Sequence, residues 1–306
     1  MCNHQAKCIL QEWKDAAGKL AYLRMRSTYM NIQFIKPSPP LGPYIDRYWG
    51  WDYAGRDAAG DNVYGANKLY LPHVPPGIGL DLFLHYRKPF VIDEKGALSR
   101  SHLIFSWEKS SNILPSGDVG FIAIRFKAGM FKNFTGIPLY ELTDHYPDTE
   151  NIWGSSGKHL LQRVNGVEGL AAKVVLLEEF LLRLLDRHRK DTPLWNHIIE
   201  DLYHHHDTIR LDELAEERQW TYRHFRRKFK EEIGMAPKHF QRLARFHATL
   251  KPLLLGRERR YLSTALDNGY FDQTHFIKEF KYFMQTTPSE FLQENNFMSH
   301  FYYSRI

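Results

Sequence analysis

The sequence predicts an α+β multidomain chain, with a β-rich N-terminal domain and an all-α C-terminal domain carrying two helix-turn-helix units. Three observations predict it. Between residues 31 and 155, short alternating apolar runs are separated by proline and glycine clusters, the pattern of strands and turns. Between residues 209 and 291 one theme occurs twice: a short apolar helix, a turn, an aromatic and cationic helix, then a Pro-Xaa-Xaa-Phe step. Those steps start at Pro237 and Pro288 and end at Phe240 and Phe291. Finally, 306 residues are long for a single core and suit two domains.

The expected divisions are an N-terminal extension (1–30), a β-rich domain (31–155), a helical connector (156–193), the helix-turn-helix domain (194–294) and a C-terminal tail (295–306). Residues 1–30 are expected to be poorly ordered; Met30 opens the more orderly run MNIQFIKPS and is a candidate original start. Hydrophobic residues make up 43% of the chain and charged residues 25%, as in ordinary globular proteins. No apolar run reaches the ~18–20 residues of a membrane span. The longest, at 174–185, is broken by Glu178, Glu179 and Arg183. The two cysteines, Cys2 and Cys8, cannot form a disulfide framework or a four-cysteine zinc site. Their scarcity and the lack of an apolar signal core predict a cytoplasmic protein with no membrane partner.

Within the β-rich domain, 44–53 is aromatic, with Tyr48, Trp49, Trp51 and Tyr53. In 79–86, Leu80, Leu82, Leu84 and Tyr86 point one way while Asp81, Phe83 and His85 point the other. In 120–127, Ile122, Ile124 and Phe126 share one face. After Gly129 the pattern becomes helical. Leu170, Val174, Leu177, Leu181 and Leu184 recur at steps of four and three, a seam of nearly three heptads. Two readings are open: a helix packed on its own domain, or a homodimer interface.

In the C-terminal domain, Thr221 is placed to cap a helix from residue 222, which buries Phe225 and Phe229 and stops at Gly234. Asp272 is placed to cap a second such helix, burying Phe276 and Phe280. The net charge is +6, and the cations are clustered. From 223 to 260 there are twelve Lys or Arg against three acids, whereas 200–217 holds seven acids and one Arg. Concentration on particular elements is what a polyanion-binding face requires. Arg223, Arg226 and Arg227 can pair with guanine edges. Gln273, Thr274, His275 and Lys278 form the polar counterpart in the second unit. Lys230, Arg242, Arg245 and Lys281 suit phosphate contacts, which position a protein without reading sequence. His204, His205 and His206 are consecutive, so they cannot share one helix face, and they read as a solvated helix end.

The residues LDELAEERQWTYRHFRRKFKEEIGMAP and STALDNGYFDQTHFIKEFKYFMQTTPSEF resemble the DNA-binding domain of AraC/XylS-family transcriptional regulators over about 100 residues, 194–293. The resemblance implies two recognition helices in successive major-groove segments. It makes Arg223, Arg226, Arg227, Gln273, Thr274, His275 and Lys278 base-facing. It also implies double-stranded DNA, RNA polymerase and a small-molecule effector as partners. Three departures stand out. Gln219 and Gln285 replace turn glycines, and Pro252 lies inside the expected linker helix, where it either ends or kinks that helix. Fainter similarity links PSPPLGPYIDRYWGWDY, LPHVPPGIGLDLFL and IAIRFKAGMFKNFTGIPLYELTD to a cupin-like sensor barrel found in one subgroup of these regulators.

His73, Asp81 and His85 are candidates for a ligand pocket in that barrel. No His-Xaa-His pair with a following Glu occurs in 31–155, so no metal, cofactor or catalytic residue is expected. No phosphate loop or nucleophile elbow occurs either. Two rivals remain: a cupin-type enzyme tethered to DNA, and a non-specific architectural DNA binder.

Overall fold

The computed structural model describes residues 31–53, 75–92, 96–105, 109–110, 113–115, 118–142, 146–190, 193–254 and 261–292. The extension at 1–30, the tail at 295–306 and His73 lie outside the described residues.

The alternating run at 79–86 forms β3 (Leu80–His85), with all six residues buried. It pairs antiparallel with β8 (Val119–Phe126) on one side and β6 (Ser101–Phe105) on the other. Adding β2 (Ile45–Tyr53) and β1 (Asn31–Ile35) gives a five-stranded sheet ordered β1-β2-β8-β3-β6. A smaller sheet joins β4 (Phe90–Ile92) to β5 (Gly96–Ala97) and β7 (Ile113–Pro115). Among the described residues the strands therefore form two sheets, as expected of a β-rich region.

Period-two alternation sorts the large sheet into two buried faces. Leu80, Leu82, Leu84, Ile122, Ile124 and Phe126 meet helices on one face. These are α1 (Leu139–Leu142), α2 (Thr149–Trp153), α3 (Ser155–Asn165) and α4 (Leu170–His188). Val174, Leu177, Leu181 and Leu184 of the seam are buried in this same cluster, so the seam packs within the chain. At Gly50 a Cβ would lie 2.9 Å from the Phe121 carbonyl oxygen and would also press on the Leu170 side chain of α4, so glycine suits this close approach. The opposite face is aromatic. Trp49 lies 4.9 Å from Phe121, and Phe90 of the small sheet lies 5.1 Å from Phe121 and 4.5 Å from His85. A sheet covered on both faces has near-continuously apolar strands.

The remaining helices are α5 (Pro193–His204), α6 (Leu211–Glu216), α7 (Tyr222–Ile233), α8 (Pro237–Leu254), α9 (Tyr261–Asp267), α10 (Gln273–Met284) and α11 (Pro288–Phe291). One core runs through them, built on Trp195, Phe225, Phe229, Phe240, Phe246, Phe276, Phe280 and Phe291. The Thr221 side chain accepts from the His224 N–H at 3.2 Å, and Asp272 accepts from the His275 N–H at 2.7 Å, so both expected caps form. Helix α8 continues through Pro252, with the described residues on both sides of it helical. The proline removes one backbone donor, and the turns before it remain helical. His206 departs from the solvated helix end expected of it. It is buried, and its carbonyl accepts from Gln241 Nε2 of α8 at 2.9 Å.

Candidate nucleic-acid interface

Two helix pairs, α6–α7 and α9–α10, share the same turn. The Trp220 N–H donates to Ala215 O at 3.0 Å, and the Tyr270 N–H donates to Ala265 O at 3.1 Å. The residue before each donor is left-handed: Gln219 at φ 57° and Gly269 at φ 82°. Gln219 therefore takes the conformation that glycine adopts without strain.

On α7, Arg223, Arg226, Arg227 and Lys230 are exposed and spaced as one stripe, opposite the buried Phe225 and Phe229. Arg227 Nη1 donates to Glu231 Oε1 at 2.8 Å, an exposed i,i+4 pair. On α10, Thr274, Lys278 and Lys281 share an exposed stripe, with Gln273 exposed at the first turn. His275 stands apart from them. It is half-buried against Tyr270 at 5.2 Å, and its Nδ1 accepts a long 3.4 Å bond from the Phe271 N–H.

Arg242 and Arg245 of α8 turn to a protein carboxylate. Arg242 Nε donates to Glu279 Oε1 at 2.7 Å and Arg245 Nη2 donates to Glu279 Oε2 at 2.5 Å. The Glu279 side chain is 3% exposed, so α10 is fastened to α8 by a buried carboxylate held between two guanidinium groups. Each guanidinium also covers a ring, Arg242 over Tyr282 at 4.8 Å and Arg245 over Tyr270 at 4.5 Å. The sequence reading missed Glu279, although its place three residues after the buried Phe276 puts it on the inward side of α10. It also missed Lys238, exposed in the first turn of α8. With Arg242, Arg245, His275 and Lys278 it lines a groove of about 350 Å³ between the helices.

The β-rich region touches both long helices near their C-terminal ends. Lys132 Nζ donates to Glu232 Oε2 of α7 at 2.5 Å, with the Lys132 side chain 5% exposed. Burial pushes the Lys132 ammonium down, and its hydrogen bond to Glu232 opposes that shift. Gly129, at φ 70°, permits this approach, since a Cβ would lie 2.7 Å from Ile233 Cδ1. At α10, the Ser110 N–H donates to Phe283 O at 2.6 Å and Gln285 Nε2 donates to Ser110 O at 2.5 Å. Gln285 is the second non-glycine residue at positive φ among the described residues, also 57°.

A cavity of about 530 Å³ lies between the two regions. Arg47, Arg125 and Met130 line it from the sheet side, and Ile199, Tyr203 and His247 from the helices. Of the expected ligand residues, Asp81 pairs with Arg125 at 2.7 Å, and His85 is enclosed in the aromatic layer. Burial raises the Asp81 carboxyl, with Arg125 opposing. Burial holds His85 down at about 2 and His102 at about 4. Among the described residues, no group of three or more His, Cys, Asp or Glu side chains is arranged to hold a metal ion, and no helix is long and apolar enough to cross a membrane.

Comparison with known proteins matches two stretches of the chain. Residues 214–294 match a family described as a helix-turn-helix domain, and residues 33–148 match a domain of unknown function, DUF6597. An uncharacterized HTH-type transcriptional regulator of Staphylococcus aureus is 33% identical over 89 residues, 29% of this chain and 12% of the relative. Another, from Haemophilus influenzae, is 31% identical over 116 residues, 38% of this chain and 37% of the relative. The match thus spans well under half of either relative's length. Among solved structures, ToxT from Vibrio cholerae aligns over 86% of this chain and 97% of its own, at 13% identity and a TM-score of 0.40. The matched helices, residues 214–294, are a helix-turn-helix domain.

Proposed function

We propose that this chain is a sequence-specific DNA-binding transcriptional regulator with two helix-turn-helix units, α6–α7 and α9–α10. The observation that carries this is the repeated, capped turn that ends in an exposed polar stripe on each long helix. Arg223, Arg226 and Arg227 of α7 read base edges, and Gln273, Thr274 and Lys278 of α10 do so in the next major-groove segment. Lys230, Lys281 and Lys238 neutralise phosphates. Arg242 and Arg245 act instead as clamps on Glu279, fixing the angle between the units. His275 orients the start of α10.

The two facing sheets serve as a cupin-like sensor for a small-molecule effector, and RNA polymerase is the machinery acted on. The cavity between the regions is the effector site, since a ligand there touches both at once. Lys132 to Glu232 and Ser110 to Gln285 are the two links through which the sensor region holds α7 and α10. A ligand that favours one arrangement of these links shifts the population of DNA-competent molecules. Site selection from random duplexes with the full chain tests the reading. Arg226→Ala should relax the preference at one position, while Lys230→Ala should weaken all sequences alike and lower the salt slope by about 1. Unchanged binding in both variants at matched salt would refute the assignments.

A further inference from the structure

The two units differ by one residue, and that residue is the most exposed large apolar side chain among the described residues. Counting from the left-handed turn residue to the helix cap, the first unit reads Gln219, Trp220, Thr221. The second reads Gly269, Tyr270, Phe271, Asp272. Trp220 and Tyr270 correspond, since each donates its N–H to the equivalent alanine carbonyl. Both turn inward: Trp220 lies 5.8 Å from Trp195, and Tyr270 is 3% exposed. Phe271 is the extra residue. It is 88% exposed, against 58% for Val175, the next highest. The Asp272 cap still forms beside it at 2.7 Å, so the helix start does not depend on the ring.

A single exposed apolar side chain is unremarkable on a protein surface. Its place is what matters: one residue before the cap of α10, beside Gln273 and Thr274, at the end of the helix assigned to the major groove. The major groove offers one apolar feature, the C5-methyl of thymine. We infer that Phe271 is a specificity-determining residue that packs its ring against a thymine methyl in the segment read by the second unit. The inference rests on the DNA-binding reading. It also explains how a helix with few charges discriminates: an apolar contact adds to hydrogen bonds from Gln273 and Thr274.

The test uses the full chain and a duplex selected by it from a random pool. Thymines are replaced one at a time by deoxyuridine, which deletes only the methyl group. At one position in the second segment, the wild-type chain should lose roughly five- to tenfold in affinity. Phe271→Ala should lose a similar factor on the methylated duplex and be indifferent to deoxyuridine at that position, while Phe271→Leu keeps part of the effect. If the variant and the base change act independently at every position, the inference is overturned while the DNA-binding reading stands. Lower Phe271→Ala affinity with no deoxyuridine effect anywhere also overturns it. A wild-type chain that selects no site overturns that reading and this inference together.

Discussion

Removing the Glu279 carboxylate strands two cations. Its oxygens accept from Arg242 Nε at 2.7 Å and Arg245 Nη2 at 2.5 Å, with the three side chains 3%, 32% and 19% exposed. Breaking a fully buried ion pair by deleting one partner costs about 3–5 kcal/mol. Here the guanidinium groups keep some contact with water, which recovers part of that loss. Glu279→Ala should therefore destabilise the helical region by about 2–4 kcal/mol. Glu279→Gln keeps the shape and one acceptor, and should cost about 1–2 kcal/mol. The assay is urea unfolding followed by circular dichroism and by fluorescence, since Trp195 and Trp220 stack in this core at 5.8 Å. Replacing all three residues with apolar ones of similar size should recover most of the loss, because no charge is then left unpaired. A Glu279→Ala variant within about 0.5 kcal/mol of wild type would refute the clamp.

Four further outcomes follow from the geometry. Gln219→Gly should stabilise the protein by about 0.5–1 kcal/mol, measured by thermal melting, because its left-handed backbone is relieved and no side-chain bond is seen among the described residues. Gln285→Gly should gain less, because it also loses the bond to Ser110. Leu177→Ala, in the sheet-facing seam, should cost about 2–5 kcal/mol without changing the mass in solution. His85 and His102 are held neutral, at about 2 and about 4 against 6.5 in the unfolded chain. The unfolded state therefore takes up protons first. Their contribution is complete above pH 6.5 and declines as pH falls towards 4, with a slope approaching about 1.4 kcal/mol per pH unit for each ring. His85→Phe should flatten that slope in unfolding experiments at stepped pH.

The helical region was legible because its signals are local. Thr221, Gly234 and Asp272 are cap residues whose chemistry acts within one turn, and the Phe225–Phe229 and Phe276–Phe280 pairs announce their buried face by spacing alone. The strand at 80–85 was legible for the same reason. Contacts between distant segments were not. Glu279 reads as a surface acid until α8 is laid beside it, so Arg242 and Arg245 were expected to reach outward to phosphates. Lys132 meets Glu232 across 100 residues, and Gln285 meets Ser110 across 175. No periodicity encodes such pairings. The small sheet was missed because β4, β5 and β7 are three, two and three residues long, too short to show alternation. Phe271 is a different case, since comparing the two turns residue by residue would have exposed it.

The central claim is that two phased helices read one duplex. Its most direct test is a footprint of the full chain on a selected site, resolved to single nucleotides. Two protected segments are expected on one face of the duplex, separated by about one helical turn of 10–10.5 base pairs. Arg226→Ala should thin the first and Phe271→Ala the second. Uniform protection, with equal affinity for any duplex at the same salt, would contradict it.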